Sequence, residues 1–417
     1  MRRLAAVGLG LFVCACGGNA ELADAGPDAR ADAADSGGKP DVVDAGPDVP
    51  VDHWVAPLEP WQRMPVADYL GGALLTSVKV VTVTFAGDDA SLVARMQTFG
   101  DTITQTAWWT ATTAEYCVLP AGTPCIGPGA SGGHVVLNET APASLVDTDD
   151  GSGSSVVQFI QDHVTSGAFP PPDEQTLYQI YFPTGTTITF DGQKSCSAFG
   201  AYHYSATLSV PDGGTVEGAY AIEPRYSGEP YITMAASHEL IEAATDAHPG
   251  KVRGYAMQDL SWNRLGDEVG DLCDHTWSFD TMVESTFTVQ RGWSNVSALA
   301  GHDPCVVAPP LPYFNAAPES GKQTVYLSVG ESADIALEAF SDGTTPDWTL
   351  SGVDLGPYFG AGTTLTFSFD KTTVNNGDVA HMTVTLSKKP TSAWVPYAID
   401  SKGNGKEHQW GASVFLK

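Results

Sequence analysis

Positive charge is scarce in this 417-residue chain: 20 Lys and Arg stand against 49 Asp and Glu, a formal net charge of −29. Nucleic acid demands a basic footprint, so the balance argues against that partner. It equally argues against electrostatic docking on anionic lipid. Long apolar runs are missing too, so no segment reads as a membrane-spanning helix. No Cys-x-x-Cys pair occurs, which sets aside a thiolate zinc site. No phosphate-cradling glycine motif precedes a helix pattern. The acidity that remains fits solubility outside the cell.

What is present begins at the N-terminus. Arg2 and Arg3 precede a short apolar run, Leu4 to Val13, which closes in Val13-Cys14-Ala15-Cys16-Gly17. The arrangement resembles a lipobox, with small Ala15 before Cys16 and small Gly17 after it. Cleavage there frees the Cys16 amine and thiol for acylation, and acyl chains hold a protein at a bilayer surface. Cys14 is the poorer candidate because Val13 precedes it. An ordinary secretory signal is the alternative. The absence of Asp at position 17 points to the outer membrane, by resemblance to known sorting patterns. Residues 1–16 are thus expected to be a lipoprotein signal peptide. Residues 17–55 are expected to be a disordered tether: nine acids oppose Arg30 and Lys39 among Ala, Gly and Pro. Such a segment buries too little apolar surface to offset chain entropy.

The chain has seven cysteines. An exported protein meets an oxidising compartment, so disulfides are expected. Cys117–Cys125 would close a local loop. Cys273–Cys305, or Cys196–Cys273, would make a longer staple, and spacing alone does not choose.

Residues 56–310 form the larger unit by pattern. Ser77 to Phe85, Thr176 to Phe182, Thr186 to Phe190 and Ala219 to Ile222 read as strands, the middle two around a Pro-Thr-Gly turn. Ala90 to Phe99, Ser154 to Val164 and Thr233 to Thr245 read as helices. The mixture predicts an α/β or α+β domain. Beyond the linker-like Pro309 to Pro312, residues 311–417 show only short alternating strands: Thr324 to Val329, Ala333 to Leu337, Asp347 to Leu350, Thr363 to Phe369, Met382 to Leu386 and Ser413 to Leu416. That pattern predicts a small immunoglobulin-like β-sandwich.

The segment richest in chemistry is Ser237-His238-Glu239-Leu240-Ile241-Glu242-Ala243-Ala244-Thr245-Asp246. On a helix, His238 and Glu242 share one face. Zinc hydrolases use two ligands at this spacing, with a Glu between them that acts on the metal-bound water. Their second ligand is usually His; here it is Glu242. Glu239 is then the candidate general base. Asp271 or Glu268, in Gly266-Asp267-Glu268-Val269-Gly270-Asp271-Leu272-Cys273, is the best source of a third ligand, with His248 as another. The bland alternative is a helix capped and solvated by His238 and Glu239 beside an acidic turn.

These two segments, with Gly200-Ala201-Tyr202-His203-Tyr204-Ser205, resemble the motif set of a bacterial family of secreted proteins, itself distantly similar to plant phosphate-induced, Exordium-like proteins. That set is a His-Glu-x-x-Glu-Ala-x-Thr-Asp-Pro helix, a Glu-x-Gly-Asp-x-Cys loop and an upstream Gly-Tyr-His-Ser stretch. Ala247 replaces its Pro, and Ala201 and Tyr204 are insertions. The likeness spans roughly residues 75–305 and implies a zincin-like fold. Over such a helix, His203 could orient substrate or donate a proton; a strand histidine bonded to backbone is the plainer reading.

Trp108, Trp109 and Trp262 are candidates to line a groove for peptide or glycan, or simply to pack a core. Gly129-Ala130-Ser131-Gly132-Gly133 reads as a glycine loop and Asp147-Thr148-Asp149-Asp150-Gly151 as a solvated turn. The expected function is a cell-envelope lipoprotein acting as a zinc-dependent hydrolase, a peptidase being one form. The rival is a non-catalytic envelope protein that binds glycan or peptide, or a purely structural one.

Overall fold

The β-branched run Lys79–Phe85 forms strand β1, buried on both faces as a central parallel strand must be. In the computed structural model it is followed by helix α1 (Ala90–Thr102), whose first turn is capped by Asp89 accepting from the Ser91 and Leu92 amides. Helix α2 (Ala107–Thr113), strand β2 (Ala130–Leu137), helix α3 (Ser155–Ser166), strands β3 (Thr176–Phe182), β4 (Tyr202–Ser209) and β5 (Thr215–Pro224), and helix α4 (Glu229–Thr245) complete the main layers. The structure describes residues 62–225, 228–262, 266–275, 278–279, 281–305, 312–359 and 362–417. The expected signal peptide, Cys16 and the tether lie outside the described residues.

The sheet order is β2-β1-β3-β5-β4. The first four strands are mutually parallel, and β4 runs antiparallel to β5 at the edge. This is an α/β layer with one reversed edge strand. Helix α4 packs on β5, β4 and strand β7 (Phe287–Gln290) of a hairpin with β6 (Thr281–Glu284). Every residue of α4 from Ile232 to Thr245 is buried. Ionisable groups on it are therefore shut away from water, which governs everything said below about the site.

Three local expectations give way. Gly129 to Gly133 is not a loop, because β2 starts at Ala130. Gly132 lies so close to β1 that a Cβ there would stand 2.7 Å from Val81 Cγ2. Thr187–Phe190 makes no hairpin with β3; it pairs with Ser144–Asp147 and Gln193–Lys194 in a separate three-stranded sheet. Helix α2, rich in Thr and Trp, has no counterpart among the expected helices. Its tryptophans are core: Trp108 donates to the Gln290 carbonyl (2.7 Å) and Trp109 to the Gly127 carbonyl (2.9 Å).

The C-terminal residues form a two-sheet sandwich of immunoglobulin-like architecture. Its strands are β8 (Phe314–Pro318), β9 (Thr324–Leu327), β10 (Ser332–Ser341), β11 (Trp348–Asp354), β12 (Leu365–Phe369), β13 (Thr373–Val374), β14 (Val379–Leu386), β15 (Trp394–Gly403) and β16 (Lys406–Leu416). They order as β8-β10-β14-β12 facing β9-β16-β15-β11-β13. The alternating burial of β14 shows why the period-2 pattern was readable. Residues 306–311 lie outside the described set, but one hydrophobic core runs through both units. At the junction Trp262 meets Trp293 (ring centroids 5.5 Å) and Trp410 (5.2 Å), so Trp262 packs a core rather than lining a groove.

Disulfides join Cys117 to Cys125 and Cys273 to Cys305; Cys196 is in neither, which removes the Cys196–Cys273 alternative. They fit an oxidising, exported setting. Among the described residues no helix is long and apolar enough to cross a membrane.

Candidate metal centre

Three elements bring the site together. Helix α4 supplies His238, Glu239 and Glu242; the i, i+4 pair sets His238 Nε2 3.0 Å from Glu242 Oε1. The edge strand β4 supplies His203, in register with Ala221 of β5. The loop after residue 266 supplies Glu268, and the short helical turn Asp271–Cys273 supplies Asp271. None of these six side chains is more than 6% exposed. The bland reading of solvated caps therefore fails on burial.

Both imidazoles are oriented the same way. The Gln290 amide donates to the Gly270 carbonyl (2.9 Å), which leaves its Oε1 facing His238 Nδ1 at 2.9 Å. That assigns the proton to Nδ1 and turns Nε2 toward Glu242 and, at 3.6 Å, Asp271 Oδ1. On the other side, His203 Nε2 is 3.1 Å from the Asp246 carbonyl. Its Nδ1 faces Glu239 Oε2 (3.6 Å) and Glu242 Oε2 (3.5 Å). Metal-ligating histidines are held in this way, one nitrogen tied to an amide or carbonyl and the other aimed at the ion. His203 is thus both the strand histidine bonded to backbone and a member of the cluster. It also stands 3.6 Å from Glu268 Oε1 through Nε2.

A lone pair facing carboxylates is repulsive unless positive charge lies between them. The titration tendencies express this. Burial pulls both histidines down, yet Glu268, Glu239 and Glu242 hold His203 well above its usual range, and Glu242, Glu239 and Asp271 do the same for His238. Against burial, the two imidazoles push Glu242 down to about 2. Burial, reinforced by Glu242, drives Glu268 and Asp271 well above the carboxylate range. Burial also raises Glu239. In water-excluded surroundings the charge must come from protons or from a cation.

The donor atoms fall into two groups, each with all atoms within 4.8 Å of one another: His203, Glu242, Glu268, and His238, Glu239, Glu242. Either could hold a metal ion. Neither oxygen of Asp271 accepts a hydrogen bond, although the side chain is 1% exposed. Asp271 is in neither donor group; buried carboxylate oxygens without partners are rare, and a cation beside it would account for them. Gly270 lets the loop approach: a Cβ there would lie 2.8 Å from Glu242 Oε1. The Asp271 amide donates to the same oxygen (3.0 Å).

His248 is not drawn in; it sits beside Glu217 and is in neither group. Sequence reasoning missed Gln290, which orients His238. It also missed Glu223, buried at the end of β5 and hydrogen-bonded by Gln179 (3.3 Å). Arg253, flanked by Asp246, by Asp267 (3.0 Å) and by Glu268 Oε1 (3.2 Å), is a third omission. Asp147 corrects the solvated-turn reading, because it is buried and accepts from Tyr202 and Tyr220 (2.8 Å each) and from Ser154 (2.7 Å).

No family model matches the chain, and no curated protein matches it. Among solved structures it is similar to a FixG-related protein from Vibrio parahaemolyticus, at 11% identity over 26% of this chain and 99% of that one, TM-score 0.20. The titin M3 domain follows at 12% identity, 25% of this chain and 96% of that one, TM-score 0.17. The swine CD8aa homodimer gives 13% identity, 25% and 97%, TM-score 0.15. None of these three is a zincin or an Exordium-like protein.

Proposed function

We propose that this chain is an exported, lipid-anchored metallohydrolase of zincin type, with zinc as its ion and peptides as its first substrate class to test. The observation that carries the reading is the buried convergence of helix α4, strand β4 and the acidic loop, which groups the donors of His238, Glu239 and Glu242 and those of His203, Glu242 and Glu268, with Asp271 3.6 Å from His238. A bound divalent cation supplies an acidic water at neutral pH. Glu239 lies one residue from His238 on the same helix and would serve as the base, holding the proton of the attacking water and returning it to the departing amine, with one water consumed per bond broken. His203, 3.6 Å from Glu239, orients that carboxylate. The anchor at Cys16 and the tether of residues 17–55 would hold the enzyme in the cell envelope, at the outer membrane.

The test is Glu239→Gln in the metal-loaded protein, assayed on broad peptide and ester panels. Retained metal with hydrolysis lowered by about 10²- to 10⁴-fold is the expected result. Equal activity in both proteins removes Glu239 as the base, and no activity in the wild type removes the hydrolase. Burial favours a second reading. A catalytic zinc keeps an open position, whereas every donor here is at most 6% exposed. On that reading the ion is structural and the envelope protein binds peptide or glycan elsewhere. Metal removal then lowers Tm while no substrate is turned over.

A further inference from the structure

We propose, resting on the metal-bound reading above, that the centre holds two divalent cations bridged by Glu242. The donor geometry divides in two. His203 and His238 never share a donor group, and neither do Glu239 and Glu268; Glu242 alone belongs to both. Ligands at about 2.0–2.2 Å from one ion cannot stand much more than about 4.4 Å apart, so one ion cannot collect both histidines with Glu242. The two oxygens of Glu242 are also divided, Oε1 toward His238 at 3.0 Å and Oε2 toward His203 at 3.5 Å. A carboxylate that turns one oxygen to each of two oriented imidazoles has the form of a bridge.

One cation then sits between His238 and Glu242, with Glu239 beside it as the base; Asp271, in neither donor group, faces the same imidazole at 3.6 Å. The other sits with His203, Glu242 and Glu268. Charge points the same way. Ionised, Glu239, Glu242, Glu268 and Asp271 would bring four negative charges into a site at most 6% exposed. Arg253 reaches one of them, Glu268 Oε1 at 3.2 Å, but shares its single charge with Asp246 and Asp267. Two divalent cations offset four carboxylates, where a single one does not. The Asp271 oxygens, buried and accepting no hydrogen bond, are an independent sign of an ion on that side. Carboxylate-bridged pairs about 3.5–4 Å apart serve hydrolysis by clamping both the attacking and the leaving oxygen.

The experiment strips the full mature chain with a chelator and reloads it with Zn(II) or, separately, Mn(II). Elemental analysis and native mass spectrometry then read ions per chain. Two per chain is expected in the wild type, one in Glu268→Gln and in His203→Ala, and none in Glu242→Gln. One ion in the wild type overturns the pair and leaves the single-metal hydrolase standing. No ion in the wild type overturns both. The Mn(II) protein should give an exchange-coupled paramagnetic resonance signal; an isolated-ion spectrum at two ions per chain overturns the bridge. The wild-type stoichiometry decides the matter alone if a variant fails to fold.

Discussion

A methyl group at position 270 probes the centre without replacing any donor. Gly270 has φ −73° and ψ −48°, ordinary helical values, so alanine suits its backbone. The new Cβ would nevertheless lie 2.8 Å from Glu242 Oε1 and 2.9 Å from His238 Nδ1. Gly270→Ala is expected to part those two side chains and weaken metal binding about 10- to 100-fold, the usual cost of disturbing groups that orient ligands. Competition against a chromophoric chelator measures it, with circular dichroism as the control on folding; unchanged affinity would contradict the site. The sequence made His238, Glu239 and Glu242 legible because helical periodicity is local. Glu268 and Asp271 were legible as an acidic run near a cysteine. Gln290 was not, because its hydrogen bond to His238 spans 52 positions and an amide in a strand carries no spacing signal.

The same contrast holds for whole elements. Helix α4 was expected from Thr233, and it begins at Glu229 because Pro230 sits at its first turn, where a missing amide costs nothing. β4 reads poorly, since its Tyr, His and Ser stretch is inward-facing polar strand at a sheet edge. The loop carrying Glu268 and Asp271 has little regular structure, so its position depends on what ties it down. Cys273, two residues past Asp271, is bonded to Cys305 across 32 positions, against 8 for Cys117–Cys125. Chain-entropy estimates give about 4 and about 2.5 kcal/mol for loops of these lengths. Replacing Cys273 and Cys305 by Ala should therefore cost more in urea unfolding of the chelated protein than replacing Cys117 and Cys125. The first pair should also weaken metal retention, because it frees the acidic turn, and the second should leave it unchanged. Equal metal affinity in the two double variants would show that the turn is held by something else.

At the scale of the molecule, two units were expected with a proline linker between them, and the strand spacing of the second was readable. Their union was not, because it rests on contacts among residues far apart in the chain. Trp410 of β16 is 1% exposed and meets Trp262 of the main unit at 5.2 Å and Phe340 of the sandwich at 5.9 Å. Gly411 beside it packs so closely that a Cβ would stand 2.2 Å from the Ser261 carbonyl. Ser261 and Trp262 in turn precede the loop that carries Glu268 and Asp271. A sandwich joined this way acts as a wall against which the acidic loop is built, rather than as a detachable spacer. Trp410→Ala is expected to destabilise the protein by about 3–5 kcal/mol, the range for emptying a large aromatic site. The loss should appear at one midpoint whether unfolding is followed by tryptophan fluorescence or by release of bound metal. Were the two units independent, the metal would leave at its own midpoint, unmoved by the substitution. A shared core predicts that both probes shift together.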